Sequence, residues 1–203
     1  MKPNLFSGTA LAPALGACGL CLWDVGARGG IDPLFAPFAF AVDAVGFEPD
    51  PQAFANLSPS KRWRSEVFYE TAIGGPDTSV VLYVPKDPAG ASFMKHDIEI
   101  GRRYGLDDLF QVDKTVDICT VTIDWAIANM SVPAPNLLKL DVEGLELVIL
   151  KGGAEALKGI FALKLEAAFI RHRIDQPLAG DLIAYLEGHG LYAVDMVDEA
   201  RWR

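Results

Sequence analysis

This sequence is poor in cysteine, in basic charge and in long apolar runs. Its 203 residues include three cysteines, Cys18, Cys21 and Cys119. That odd, low number excludes a secreted disulfide scaffold. Cys18 and Cys21 have C-x-x-C spacing, but zinc would need two further ligands and no second pair exists. Both are read as ordinary thiols that pack as small apolar groups. Eighteen Lys and Arg stand against 27 Asp and Glu, for a net charge of −9. Phosphate backbones demand a basic surface, so nucleic acid is not an expected partner. A neutral or cationic small molecule suits this balance better. No uninterrupted apolar run reaches the ~18 residues of a membrane span. The apolar stretch 5–23 is broken by Pro13, Gly16 and Gly19 and preceded by one positive charge, unlike a secretory leader. A cytoplasmic protein with no membrane partner is expected.

What is present suits a packed α/β chain. Apolar residues make up 51% and the mean hydropathy is +0.22, too apolar for disorder. No internal repeat or low-complexity tract occurs, and 203 residues allow one domain spanning 1–203. Short apolar runs alternate with amphipathic ones, the pattern of a doubly wound, mostly parallel sheet flanked by helices. Strands are expected over 19–25, 41–48, 65–73, 79–84, 116–123, 136–140, 161–170 and 191–197. The run 79–84 follows a Gly74-Gly75-Pro76-Asp77 turn and should pair antiparallel with a neighbour. Helices are expected after the 22–30 loop, over 51–57, over 122–130 with Thr122 or Asp124 as its cap, over 144–151, and over 178–189 ending at Gly190. Residues 85–111, with Pro85, Pro88, Gly90 and Gly101, form an irregular insertion long enough to serve as a substrate lid.

Two stretches carry chemistry. The first is LWDVGARGG, residues 22–30, an apolar strand running into glycines, with Glu48 of VGFEPDP 24 positions after Asp24. A glycine turn that holds a ligand's backbone, and an acid at the next strand's end for ribose hydroxyls, is a nucleotide-binding arrangement. The dinucleotide spacing fails: counted from Gly26 it needs glycines where Arg28 and Ile31 stand. Asp24, two residues before Gly26, repels a pyrophosphate but suits an ammonium group, such as that of S-adenosylmethionine (SAM). This disfavours an NAD-dependent oxidoreductase. A catalytically silent nucleotide-fold binding module is the other alternative. The second stretch is LLKLDVEGLELVILKGG, residues 137–153, which sets Asp141 and Glu143 at the end of a buried strand.

DVGARGG, VGFEPDP, TAIGG, GASFM, VTIDWAI and LLKLDVEGLELVILKGG occur in that order. Together they resemble the FkbM family of SAM-dependent methyltransferases, over roughly residues 23–197. KLDVEGLE followed by LKGG is the most specific piece. The resemblance implies a class I methyltransferase: a Rossmann-like sheet of the seven-stranded type, SAM as cofactor, and O-methylation of a hydroxyl on a small-molecule or glycan acceptor. It places Asp24, Gly26, Ala27 and Gly30 in the SAM loop, and Glu48, followed by Pro49, at the ribose diol. Thr71 and Ala72 would line the adenine pocket, and Asp141 would lie beside the methyl group, with Glu143 and Gly144 continuing that motif. Arg28 departs from the smaller polar residue common in the family; it could pair with a carboxylate, that of SAM included, or face solvent. Against that family the chain is short at both ends.

For the transfer itself, Asp141, Glu143 and Glu166 stand at strand ends, and His96 in the insertion could swing over that edge. Each also has a structural reading. Asp141 could cap the following helix, and Glu143 would be favoured at a helix N-terminus by the macrodipole. Glu166 could pair with Lys139 or Lys164, and His96 could be a surface loop residue. Asp141 and Glu143 offer hard oxygen ligands to a divalent metal, but the sequence identifies no third ligand and no metal is expected.

Overall fold

The computed structural model describes residues 4–76 and 79–197. A five-stranded sheet runs in the order β3-β2-β1-β7-β8. Its strands are β1 (Leu20–Val25), β2 (Val42–Phe47), β3 (Ser65–Tyr69), β7 (Leu137–Leu140) and β8 (Ala162–Leu165). Every pairing in it is parallel. Parallel strands are covered on both faces and so read as near-continuous apolar runs, as LCLWDV and LLKL do.

On one face Trp23, Val25, Phe47, Leu138 and Leu140 pack with Ile149 and Leu150 of α6 (Glu146–Lys151) and with Leu182 and Leu186 of α7 (Ala179–Glu187). On the other face Leu20, Leu22, Val42, Ala44 and Leu137 meet Ile31, Phe35 and Ala39. The expected helix after the glycine loop is a 3-10 segment, Pro33–Ala41. Pro37 inside it removes a donor and clashes with a regular α-helix. The chain leaves β1 for β2 on one side and returns to β7 on the other, so strand order reverses between β1 and β7. The crevice outside the carboxyl ends of those two strands is where open α/β sheets bind ligands.

A second, three-stranded sheet of order β4-β6-β5 changes several expectations. The run 65–73 is two strands. It breaks at Glu70 and Thr71, and β4 (Ala72–Ile73) leaves to pair with β6 (Val112–Val121). The strand β5 (Ser79–Pro85) is antiparallel to β6, as expected, and this long pairing starts β6 at 112 rather than 116. Asp77 of the expected turn lies outside the described residues. The insertion is more regular than its sequence suggests. It holds α3 (Ile98–Tyr104), capped by Asp97 and stopped by Gly105 in the left-handed region, and α4 (Asp107–Phe110).

A short α1 (Ala12–Cys18) precedes β1, and the helix expected over 51–57 is α2 (Pro51–Ala55). Other boundaries move for local reasons. Gly144 has φ 110° and sits in the turn, so α6 starts at Glu146 and not at Gly144. The strand β8 stops at Leu165, five residues early. Residues 191–197 form no strand and pair with nothing described, which leaves β8 at the sheet edge; Val194 there is 96% exposed. An apolar alternating run does not make a strand by itself; it must pair with a neighbour. No helix among the described residues is long and apolar enough to cross a membrane.

Of the two proposed caps of α5 (Ile123–Asn129), Thr122 is the one used: its hydroxyl accepts from the Trp125 amide at 3.1 Å. Asp124 instead accepts from the amides of Glu155 and Ala156. Replacing Thr122 with Ala should lower stability by about 1 kcal/mol in urea unfolding. An unchanged midpoint would show that the hydroxyl does not cap α5.

Candidate active site

The glycine loop is held from both sides. The amides of Gly26 and Ala27 both donate to the Phe47 carbonyl at 3.0 Å, which ties the loop to the end of β2. On the other side, a Cβ at Gly26 would overlap the Asp141 carbonyl oxygen, and φ at Gly26 is 82°. Only glycine allows both that close approach and that backbone conformation. Ala27 is fully buried beneath the loop. Gly29 and Gly30, both at positive φ, line a recess of about 400 Å³ with Arg28, Gln52, Ala53 and Asn56. Arg28 donates to the Pro88 carbonyl at 3.2 Å and lies 3.8 Å from Asp50. It thus joins the loop to the insertion.

Asp24 has no exposure. One carboxylate oxygen accepts from the Asp32 amide at 2.7 Å. The other lies 2.9 Å from the Lys139 ammonium, where the two meet as charges rather than through a well-directed hydrogen bond. Burial raises the Asp24 carboxyl and Lys139 opposes that rise. Glu48 follows β2 and is 5% exposed. It accepts from the Asp50 amide at 2.8 Å, and burial is the main cause that raises its carboxyl. Pro49 follows it, half-buried. Thr71 and Ala72 lie where the chain crosses from β3 to β4, Thr71 half-buried and Ala72 buried.

At the ends of β7 and β8 three carboxylates converge. Oxygens of Asp141, Glu143 and Glu166 all lie within 4.8 Å of one another. Glu166 is the third oxygen donor that the sequence alone did not assign to this pair. Asp141 does not cap α6, whose first residue follows Leu145 with no side-chain cap. Its carboxylate is half exposed and 3.5 Å from the Lys139 ammonium. Glu143 adopts φ 58° and is pinned at both ends. Its carbonyl accepts from the Ser92 hydroxyl at 2.7 Å, and its carboxylate pairs with buried Arg173. Glu166 pairs with neither lysine considered for it: Lys139 is taken by Asp24 and Lys164 by Asp32 at 2.8 Å. Burial against the rim raises the Glu166 carboxyl to about 8, with Glu143, Glu146 and Asp141 adding repulsion. The residue itself is open to solvent, so water offsets part of that rise.

His96 is buried, not on the surface. Its Nε2 donates to the Gly90 carbonyl at 2.7 Å, which assigns the proton to Nε2, and burial lowers its pKa. Its backbone bridges to Arg173, and Asp97 and Lys95 hydrogen-bond His172 and Ile174 on either side. The insertion and the 166–178 segment therefore close together over Gly144, which faces Met94, Gln176 and Arg173.

Sequence reasoning missed three members of this site. Lys139 was legible as the one charged residue in the apolar run LLKL. Glu146 was legible as a carboxylate at a helix-core position of GLELVIL. Arg173 had no local signal, because its partner Glu143 is 30 residues away.

The parallel sheet, its glycine loop and the acid after the second strand define a Rossmann-like methyltransferase fold. The FkbM methyltransferase domain model matches residues 24–191, and the chain belongs to that family. It is 28% identical over 141 residues to the hexuronic acid methyltransferase AglP of Haloferax volcanii, which covers 68% of this chain and 52% of that protein. The chain thus spans about half the length of this curated relative. The crystal structure of methyltransferase FkbM from Methylobacillus flagellatus aligns at a TM-score of 0.47 and 16% identity, over 92% of this chain and 42% of that one.

Glu146 offers a test of the site's electrostatics. It is 4% exposed and accepts from the amides of Val142 and Gly144. Burial is the main cause that raises its carboxyl from 4.5 to about 7. A carboxyl raised on folding contributes stability that is complete below its unfolded value and is lost as pH climbs through the folded one. Wild-type protein should therefore lose stability between about pH 4.5 and pH 7 relative to Glu146→Gln. The two should match near pH 4, and the variant should be the more stable at pH 8. Parallel curves across that range would contradict a buried, titrating Glu146.

Proposed function

We propose that this chain is a SAM-dependent O-methyltransferase that acts on a hydroxyl of a small molecule or sugar. In this reading residues 1–203 work as one domain and the insertion 85–111 covers the acceptor. The observation that carries it is the convergence of Asp141, Glu143 and Glu166 beside the glycine loop, at the sheet's ligand edge. Bound there, SAM supplies a methyl group already activated by its sulfonium. Glu48, buried at the end of β2, is suited to accept from the ribose hydroxyls. The Gly26–Gly30 backbone gives close approach, Thr71 and Ala72 lie on the adenine side, and the half-exposed Asp141 faces the methionine end.

The acceptor side favours a polyol. Carboxyl groups at this edge can hydrogen-bond hydroxyls, and in this reading the reacting group is a hydroxyl. Glu143 is neutralised by Arg173 and Asp141 lies against Lys139. Glu166 has no ion pair among the described residues and a raised pKa, which suits it to take the hydroxyl proton near neutral pH. Holding the oxygen in line with the methyl group can supply roughly 7–11 kcal/mol in favourable cases. A relative named for hexuronic acid is compatible with a glycan acceptor. A second reading comes from the same cluster: its hard oxygens could hold a divalent cation that orients a diol.

Calorimetry with S-adenosylhomocysteine (SAH) tests the cofactor assignment. Glu48→Ala should weaken SAH binding by about 1.5–3 kcal/mol, the contribution of a charge-assisted hydrogen bond. Wild-type affinity weaker than about 1 mM would leave a binding module without this cofactor. In a methylation screen against glycans and phenols, Glu166→Gln should lower turnover by roughly 10²–10⁴-fold with little change in SAH affinity. Asp141→Asn should affect both. Activity that survives EDTA supports the base, and activity restored only by added magnesium supports the cation.

A further inference from the structure

We propose that Lys139 is a positioning residue: through one ammonium group it sets both the glycine loop and the carboxylate of Asp141. This rests on reading the crevice as a SAM site. Lys139 is 5% exposed, on a strand whose register places it directly beside Asp24. Its Nζ lies 2.9 Å from Asp24 Oδ1, 3.0 Å from the Gly26 carbonyl and 3.5 Å from Asp141 Oδ2. An ammonium has three N–H donors, and here three oxygens stand around it. Two of them belong to β1 and its loop, and the third to the acid where methyl transfer is expected.

The arrangement decides which acid can meet a ligand. Asp24 spends one oxygen on Lys139 and the other on the Asp32 amide, so it supports the loop from behind. Asp141 keeps half its side chain open, and its amide donates to the Val25 carbonyl at 3.2 Å. Its main chain therefore hangs on β1 and its side chain on Lys139. Gly26 is drawn to Phe47 by its amide and to Lys139 by its carbonyl, which orients that peptide from both sides. Lys139 thus places Asp141 as the charge that faces the cofactor's ammonium group, with Asp24 withdrawn.

The simpler role for Lys139 is to neutralise buried Asp24, and a pair of variants separates the two. Lys139→Met alone strands a buried carboxylate and could unfold the protein. The double variant Asp24→Asn/Lys139→Met removes both charges while the amide oxygen can still accept from Asp32. It should fold and melt like the wild type. The amides of residues 26–32 should nevertheless exchange faster in the unliganded protein, and SAH affinity should fall about tenfold. Adding Asp141→Asn to the double variant should then cost less SAH affinity than it costs the wild type. Wild-type exchange and SAH affinity in the double variant would overturn the proposal and leave Lys139 a counter-charge only. So would an Asp141→Asn effect of equal size in both backgrounds. If the wild-type protein binds no SAH, the SAM reading fails, and loop exchange alone then decides whether Lys139 sets the loop.

Discussion

The buried pair of Asp24 and Lys139 is the constraint on which the crevice depends. Two charges taken out of water repay their desolvation only when geometry and further hydrogen bonds are good. Here Asp24 has the Asp32 amide as well as the ammonium, and Lys139 has the Gly26 carbonyl as well as the carboxylate. Losing either partner alone leaves an uncompensated buried charge, which typically costs 3–5 kcal/mol. The pair also ties strand to strand. Asp24 and Lys139 are register partners on β1 and β7, the two strands between which the sheet changes direction.

Around that pair, the site is built by backbone approaching backbone. Gly26 lies against the Asp141 carbonyl and Gly144 lies under Met94, Gln176 and Arg173. The first contact joins the glycine loop to the end of β7. The second lets the insertion and the 166–178 segment close together over Gly144. Positive φ at Glu143 is uncommon for a residue with a Cβ. It is held by Ser92 on the carbonyl and Arg173 on the carboxylate. The local strain there is offset by contacts from two distant segments, as is common where a backbone lines a functional site.

The cluster also shows how carboxylates of one type take different roles. Glu146 is buried and hydrogen-bonded inside the turn, and Glu143 is held by Arg173. Asp141 stays half exposed at the edge, and Glu166 sits at the rim without an ion pair among the described residues. Their environments push these groups apart, and it is environment rather than residue type that assigns acid and base roles.

Much of this was readable along the chain. Apolar runs of four to six residues marked β1, β2 and β7, because a parallel strand buried on both faces needs no alternation. The glycines after β1, the acid after β2 and the KLDVEG motif marked where those strands end, and all three lie at the carboxyl edge of the sheet. The sheet's division was not readable: whether 65–73 is one strand or two depends on β6 competing for Ala72 and Ile73. Nor was the fate of 191–197, since a strand needs a partner edge and no local pattern supplies one. Sequence determined the residues that carry charge into the core and the turns that stop the strands, since these are set by local sterics and burial. Tertiary structure alone decided that Lys139 serves Asp24, that Arg173 serves Glu143, and that Glu166 joins Asp141. Those pairings bring together residues up to 115 positions apart, and only the packing of strands and loops sets such distances.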